Sequence, residues 1–114
     1  MHDDPQENEA VEGLKSQLAM MGVRIDMCGG NCPVQIDGAF MGQPFYFRAR
    51  GRGWRMWIGP GATVLRADAL HEERAYAPAD ASVEDLEYAA GWMPLEEALG
   101  FVRECLERKA GMRA

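Results

Sequence analysis

Histidine is nearly missing from this chain, which has two, His2 and His71, and its three cysteines, Cys28, Cys32 and Cys105, include no C-x2-C pair. These shortages remove most metal and nucleophile chemistry, because zinc sites and Cys–His catalysis need several such side chains at set spacings. The sequence also has no H-E-x-x-H, no G-x-S-x-G and no phosphate-binding glycine loop opening a helix. Its adjacent acidic pairs, Glu72/Glu73, Glu84/Asp85 and Glu96/Glu97, point in different directions on a helix or strand and make poor acid–base dyads. The expectation is a protein that is not an enzyme and carries no cofactor.

No apolar run approaches the ~20 residues of a membrane helix. The first residues, Met1-His2-Asp3-Asp4, lack the positive charge of a signal or transit peptide. A cytoplasmic location without membrane contact is therefore expected, and a reducing compartment would keep an odd number of cysteines as thiols. A length of 114 residues predicts a single domain, 1–114, with residues 1–4 expected to be flexible.

Positive charge is scarce overall but concentrated. The net charge is −6, which disfavours general nucleic-acid binding. Residues 38–67, however, hold Arg48, Arg50, Arg52, Arg55 and Arg66 and no acid, a local charge of +5. The remainder, with seven basic and 18 acidic residues, carries −11. Charge runs of this kind are usually solvated or paired within the fold, and a dedicated anion-binding surface is the alternative.

The elements follow from periodicity. Asp4-Pro5-Gln6-Glu7 has the order of a capping box with proline at N1, and Val11, Leu14, Leu18 and Met21 make one helical stripe before Gly22. A helix over about 5–21 is predicted. Val23 to Cys28 alternates as a half-buried strand does, Gly29-Gly30-Asn31 is a turn, and Cys32 to Met41 is a second strand.

Gly42-Gln43 suits a two-residue type II′ loop, which pairs Phe40 with Phe45, Gly38 with Phe47, and Asp37 with Arg48. One face of that hairpin is then consistently apolar. An even-numbered loop after Arg50 keeps Trp54, Met56 and Ile58 on the same apolar face. It sets Arg50 opposite Arg55 and Arg48 opposite Trp57, and like charges so placed need neutralising by a carboxylate or a partner.

Residues 62–74 are ambiguous, with Thr63–Arg66 readable as a fourth strand and 67–74 as a short helix capped by Asp68. Residues 77–82 read as a loop, and 83–90 as a turn of helix or an extended edge. Pro94 at N1, Glu96 and Glu97 in the first turn, Arg108 and Lys109 in the last and Gly111 beyond predict a C-terminal helix. Its buried stripe is Leu95, Ala98, Leu99, Val102, Cys105 and Leu106.

The predicted fold is α+β: an antiparallel meander of three or four strands with an N-terminal and a C-terminal helix packed on it. Its core should contain Val11, Leu14, Leu18, Ile25, Val34, Ile36, Phe40, Phe45, Phe47, Met56, Ile58, Leu99 and Val102.

Two constellations remain. Cys28-Gly-Gly-Asn-Cys32, with His71 as a third ligand, is a weak metal or redox candidate, and structural thiols are the commoner reading. The stronger candidate is the polar hairpin face: Tyr46, Arg48, Arg50, Arg55 and Trp57, with Arg52 in the turn. Arginine with tyrosine and tryptophan is the composition of protein-interaction hot spots. The same set would serve as a stacking platform for a single-stranded nucleic acid, or as an anionic-ligand site. Against these stands a covered face, with a helix, strand or loop supplying carboxylates to the arginines.

Pro33-Val34-Gln35, Gly38, Gly42, Phe45-Tyr46-Phe47-Arg48-Ala49-Arg50-Gly51 and Trp54, with Ala90-Gly91-Trp92-Met93 and Glu97-Ala98, resemble a group of small uncharacterised bacterial and phage proteins over residues 32–103. The resemblance implies a compact accessory protein, and brings no activity, cofactor or catalytic residue with it. The function expected is binding of a protein partner through the hairpin face, in a phage or mobile-element setting as an inhibitor or regulator. Its oligomeric state is left open.

Overall fold

The computed structural model describes residues 5–29, 33–78, 82 and 84–111, with residues 5–8 described by their backbone. Helix α1 (Pro5–Met20) leads into strands β1 (Val23–Gly29), β2 (Val34–Phe40), β3 (Gln43–Arg50), β4 (Gly53–Ile58) and β5 (Leu70–Ala75), and the chain closes with helix α2 (Leu95–Lys109). The strands form one antiparallel sheet in the order β1-β2-β3-β4-β5, so every strand pairs with its sequence neighbours. The architecture is the expected α+β meander with two helices, and the sheet has five strands.

Alternation builds the sheet's inner face. Val34, Ile36, Phe40, Phe45, Phe47, Ala49, Trp54, Met56 and Ile58 are buried there. Val11 and Leu18 of α1 and Ala98, Leu99, Val102, Cys105 and Leu106 of α2 cover them, forming one core. Every residue expected in the core lies in that cluster or packs against it, with Leu14 and Ile25 partly exposed. Trp54 is central. Its ring stacks on Phe101 of α2 at 5.0 Å, tilts against Phe47 at 5.4 Å and carries the Arg74 guanidinium 5.7 Å from its centroid. Helix α1 stops where expected, at Gly22, whose φ of 89° favours glycine. Helix α2 begins at Leu95, so Pro94 is its cap rather than its first turn.

Both hairpin registers differ from the sequence expectation by the same step. The first turn is Met41-Gly42, both left-handed (φ 54° and 76°), the pattern of a type I′ turn. Phe40 therefore pairs with Gln43, Gly38 with Phe45, Asp37 with Tyr46 and Gln35 with Arg48. The second turn is Gly51-Arg52, which puts Arg50 opposite Gly53, Arg48 opposite Arg55 and Tyr46 opposite Trp57. Each loop sits one residue earlier than expected. The inward and outward faces are unchanged, because the pairing moves by two residues and strand faces repeat every two.

Residues 62–74 contain neither the strand over 63–66 nor the helix over 67–74. Two short 3-10 turns, Ala62–Val64 and Ala67–Ala69, precede β5, which forms a sheet edge. Residues 85–92 form two further 3-10 turns, Asp85–Glu87 and Ala89–Trp92. The Asp4 cap, the Gly30-Asn31 turn, Cys32 and the expected flexibility of 1–4 lie outside the described residues, as do 79–81 and Val83.

Candidate functional site: the arginine-lined end of the β3–β4 hairpin

The outer face of the sheet is divided. The connection between β4 and β5 folds back across its centre as a strap, and Ala62 and Ala69 close over Tyr46 and Trp57 to make a second small core. Tyr46 is 9% exposed and Trp57 5%. Their rings stack at 5.9 Å, and the Tyr46 hydroxyl donates to Gln35 Oε1 at 2.8 Å. Burial pushes the Tyr46 phenol above its ordinary value. The two aromatics named as binding residues are thus largely buried, and they leave little ring surface for a base to stack on. Small residues at 62 and 69 let the strap lie close to the rings, which is why this face has no need of a helix.

The arginines behave differently from one another. Arg55 lies opposite Glu73 of β5 and is ion-paired with it. Arg52, in the turn, is paired with Glu87, and Arg66 with Asp68 at 3.3 Å. A neighbouring strand and the later 3-10 turns thus supply carboxylates to Arg55 and Arg52, as the covered-face reading expected. Arg48 and Arg50 make no ion pair or hydrogen bond among the described residues. Arg48 faces Arg55 across the ladder, and its Nε is buried without an acceptor. A buried donor left unpaired costs ~1–3 kcal/mol, so this atom is the anomaly of the face.

These side chains surround space. An open cavity of about 780 Å3 is lined by Arg48, Arg50, Arg52, Arg55, Leu65 and Glu73, with Arg74 and Trp57 contributing. Of the five arginines there, Arg52, Arg55 and Arg74 are ion-paired with Glu87, Glu73 and Glu72, whereas Arg48 and Arg50 have no carboxylate among the described residues. A second hollow of about 480 Å3 lies against Pro33, Arg50, Gly51, Glu87, Tyr88 and Gly91. Arg50 lines both. The segment carrying Tyr88 is held to the hairpin turn by a hydrogen bond from Ala90 N–H to the Gly51 carbonyl, 3.0 Å, and by the Arg52–Glu87 pair. Tyr88 and Trp92 are 64% and 62% exposed. Tyr88 is the one that shares a hollow with an arginine, and the sequence signal for it was the unpatterned stretch 83–90.

The metal alternative is rearranged. Cys28 lies on β1 and His71 on β5, the two edges of the sheet, so they do not share a site. Cys32 lies outside the described residues. His71 instead joins Glu72 and Cys105, whose ligand atoms all fall within 4.8 Å of one another. This trio is poorly suited to a cation. Glu72 is engaged by Arg74 at 2.6 Å and by Arg108, and Arg108 Nη2 lies 3.6 Å from Cys105 Sγ. Burial pushes the Cys105 thiol up to about 12 and moves His71 below its ordinary value. The group reads as an Arg–Glu–Arg bridge fastening β5 to α2.

No protein-family model, no curated protein and no solved structure matches this chain.

Proposed function

We propose that this protein is a non-enzymatic binding module that holds an acidic segment of a protein partner at the arginine-lined end of its β3–β4 hairpin. The observation that carries the reading is the contrast between Arg48 and Arg50, which have no carboxylate among the described residues, and Arg52, Arg55 and Arg66, which do. An external carboxylate on the cavity-lining guanidinium groups of Arg48 and Arg50 would offset the like charges of Arg48 and Arg55 that face each other across the ladder. Guanidinium groups favour planar anions that accept two hydrogen bonds, and such charge-assisted bonds are about twice as strong as neutral ones. A compact accessory protein is what the motif resemblance implies.

A nucleic acid is the second ligand class. Burial of Tyr46 and Trp57 removes the stacking platform that single-strand binding would use, and the net charge of −6 opposes it. Both classes are tested by fluorescence anisotropy with a labelled ten-residue glutamate peptide and a labelled oligothymidylate. The glutamate peptide should bind, and Arg48→Gln with Arg50→Gln should weaken it at least about tenfold. Arg66→Gln, which removes one positive charge outside the cavity, should have little effect. Equal binding by the double variant would overturn the reading, and preferential, arginine-dependent binding of oligothymidylate would replace it with the nucleic-acid one.

A further inference from the structure

A large aromatic side chain left 64% exposed in a hollow that it shares with an arginine, as Tyr88 is, is an unusual use of surface. Tyr88 joins the two 3-10 turns of residues 85–92 and lines the smaller hollow together with Pro33 and Arg50. Arg50 is shared between that hollow and the arginine cavity. The polar and apolar halves are thus continuous across one side chain. Two fastenings, Ala90 to Gly51 and Arg52 to Glu87, keep the Tyr88 segment against the hairpin turn. The combined space, about 780 and 480 Å3, is of the size that accepts several side chains of a peptide.

We propose that the two hollows form one cleft for a short extended segment of a protein partner in which an acidic residue stands next to an aromatic one. The carboxylate lies on Arg48 and Arg50, and the aromatic ring lies against Tyr88 and Pro33. This rests on the acidic-partner reading above and adds what the acidic residue's neighbour must be. Charge complementarity selects the acidic half, since residues 38–67 contribute five arginines and no acid. Ring packing selects the aromatic half, because Tyr88 offers an exposed face bordered by proline and glycine, and aromatic pairs gain energy beyond their buried area.

The experiment uses two labelled hexapeptides, both acidic, one carrying a single phenylalanine between glutamates and the other an alanine in its place. The phenylalanine peptide should bind the wild-type protein about tenfold more tightly than the alanine peptide. Tyr88→Ala should abolish that preference while leaving the alanine peptide's affinity within about twofold. Arg50→Gln, an exposed position that folding tolerates, should weaken both peptides, and circular dichroism checks that each variant is folded. If both peptides bind equally and need Arg48 and Arg50, the acidic-partner reading stands and the aromatic half of the cleft is overturned. If neither binds, both readings fall. Sedimentation of the wild-type protein supplies a third arm: dimerisation that needs Arg48 would assign the cleft to a second copy of this chain and overturn the proposal.

Discussion

Arg48 and Arg55 face each other on adjacent strands, and what separates them is the third strand. Arg55 has Glu73 beside it, whereas Arg48 has Gln35. The difference was hidden in the sequence because a two-residue change of register preserves every face and replaces every partner. At the same scale, Gly38 is demanded by packing. A Cβ there would lie 1.8 Å from the Arg24 carbonyl oxygen, inside its van der Waals sphere and against backbone that cannot turn aside. Gly38→Ala is expected to destabilise by ~2–3 kcal/mol, the upper range for overpacking, read as a lower urea midpoint.

Cys105 gives a pH prediction. Its thiol holds its proton up to about 12 in the folded protein and loses it near its ordinary value of 9.0 when unfolded. Between those values the unfolded chain binds fewer protons, so stability present below pH 9 declines as pH rises toward 12. Cys105→Ala should flatten that alkaline slope in urea titrations, although it lowers stability at neutral pH by opening a small cavity. An unchanged slope would show that Cys105 does not carry it.

Among the elements, the two helices and the four strands β1–β4 were legible because each has a strong period and glycine at its ends. The fifth strand was not. Its inward positions are Glu72 and Arg74, which meet Arg108 of α2 and the Trp54 ring, so charge stands where an apolar alternation would have marked a strand. The strap was equally silent, since its buried residues are two alanines in a glycine-rich stretch. Its presence makes Trp57 a core residue. Trp57→Ala should cost ~3–5 kcal/mol in urea unfolding, against a few tenths for an exposed hairpin side chain. The candidate site was half legible: the arginines were found by their segregation, whereas Tyr88 belongs to turns that follow no period.

The whole molecule carries −6 with a positive end, and that asymmetry belongs to association kinetics. An acidic peptide approaching the hairpin end is attracted locally and repelled by the rest. Its association rate should fall by about tenfold between 20 and 300 mM salt, with a smaller change in dissociation, when followed by stopped-flow anisotropy. A rate independent of salt would remove the arginines from the encounter step.

The consecutive strand order also sets how the chain finds its shape. Each hairpin forms between neighbours, so the loops that must close to build the sheet are short. The exception is the meeting of α1 with α2, bridged by Gln17 and Arg103, which are 86 residues apart. That junction is a clasp across the two ends of the chain, and the length of the loop it closes predicts that it forms last and opens first. Substitutions in its apolar stripe, such as at Leu99 or Val102, therefore act on how long the protein stays folded more than on how fast it folds.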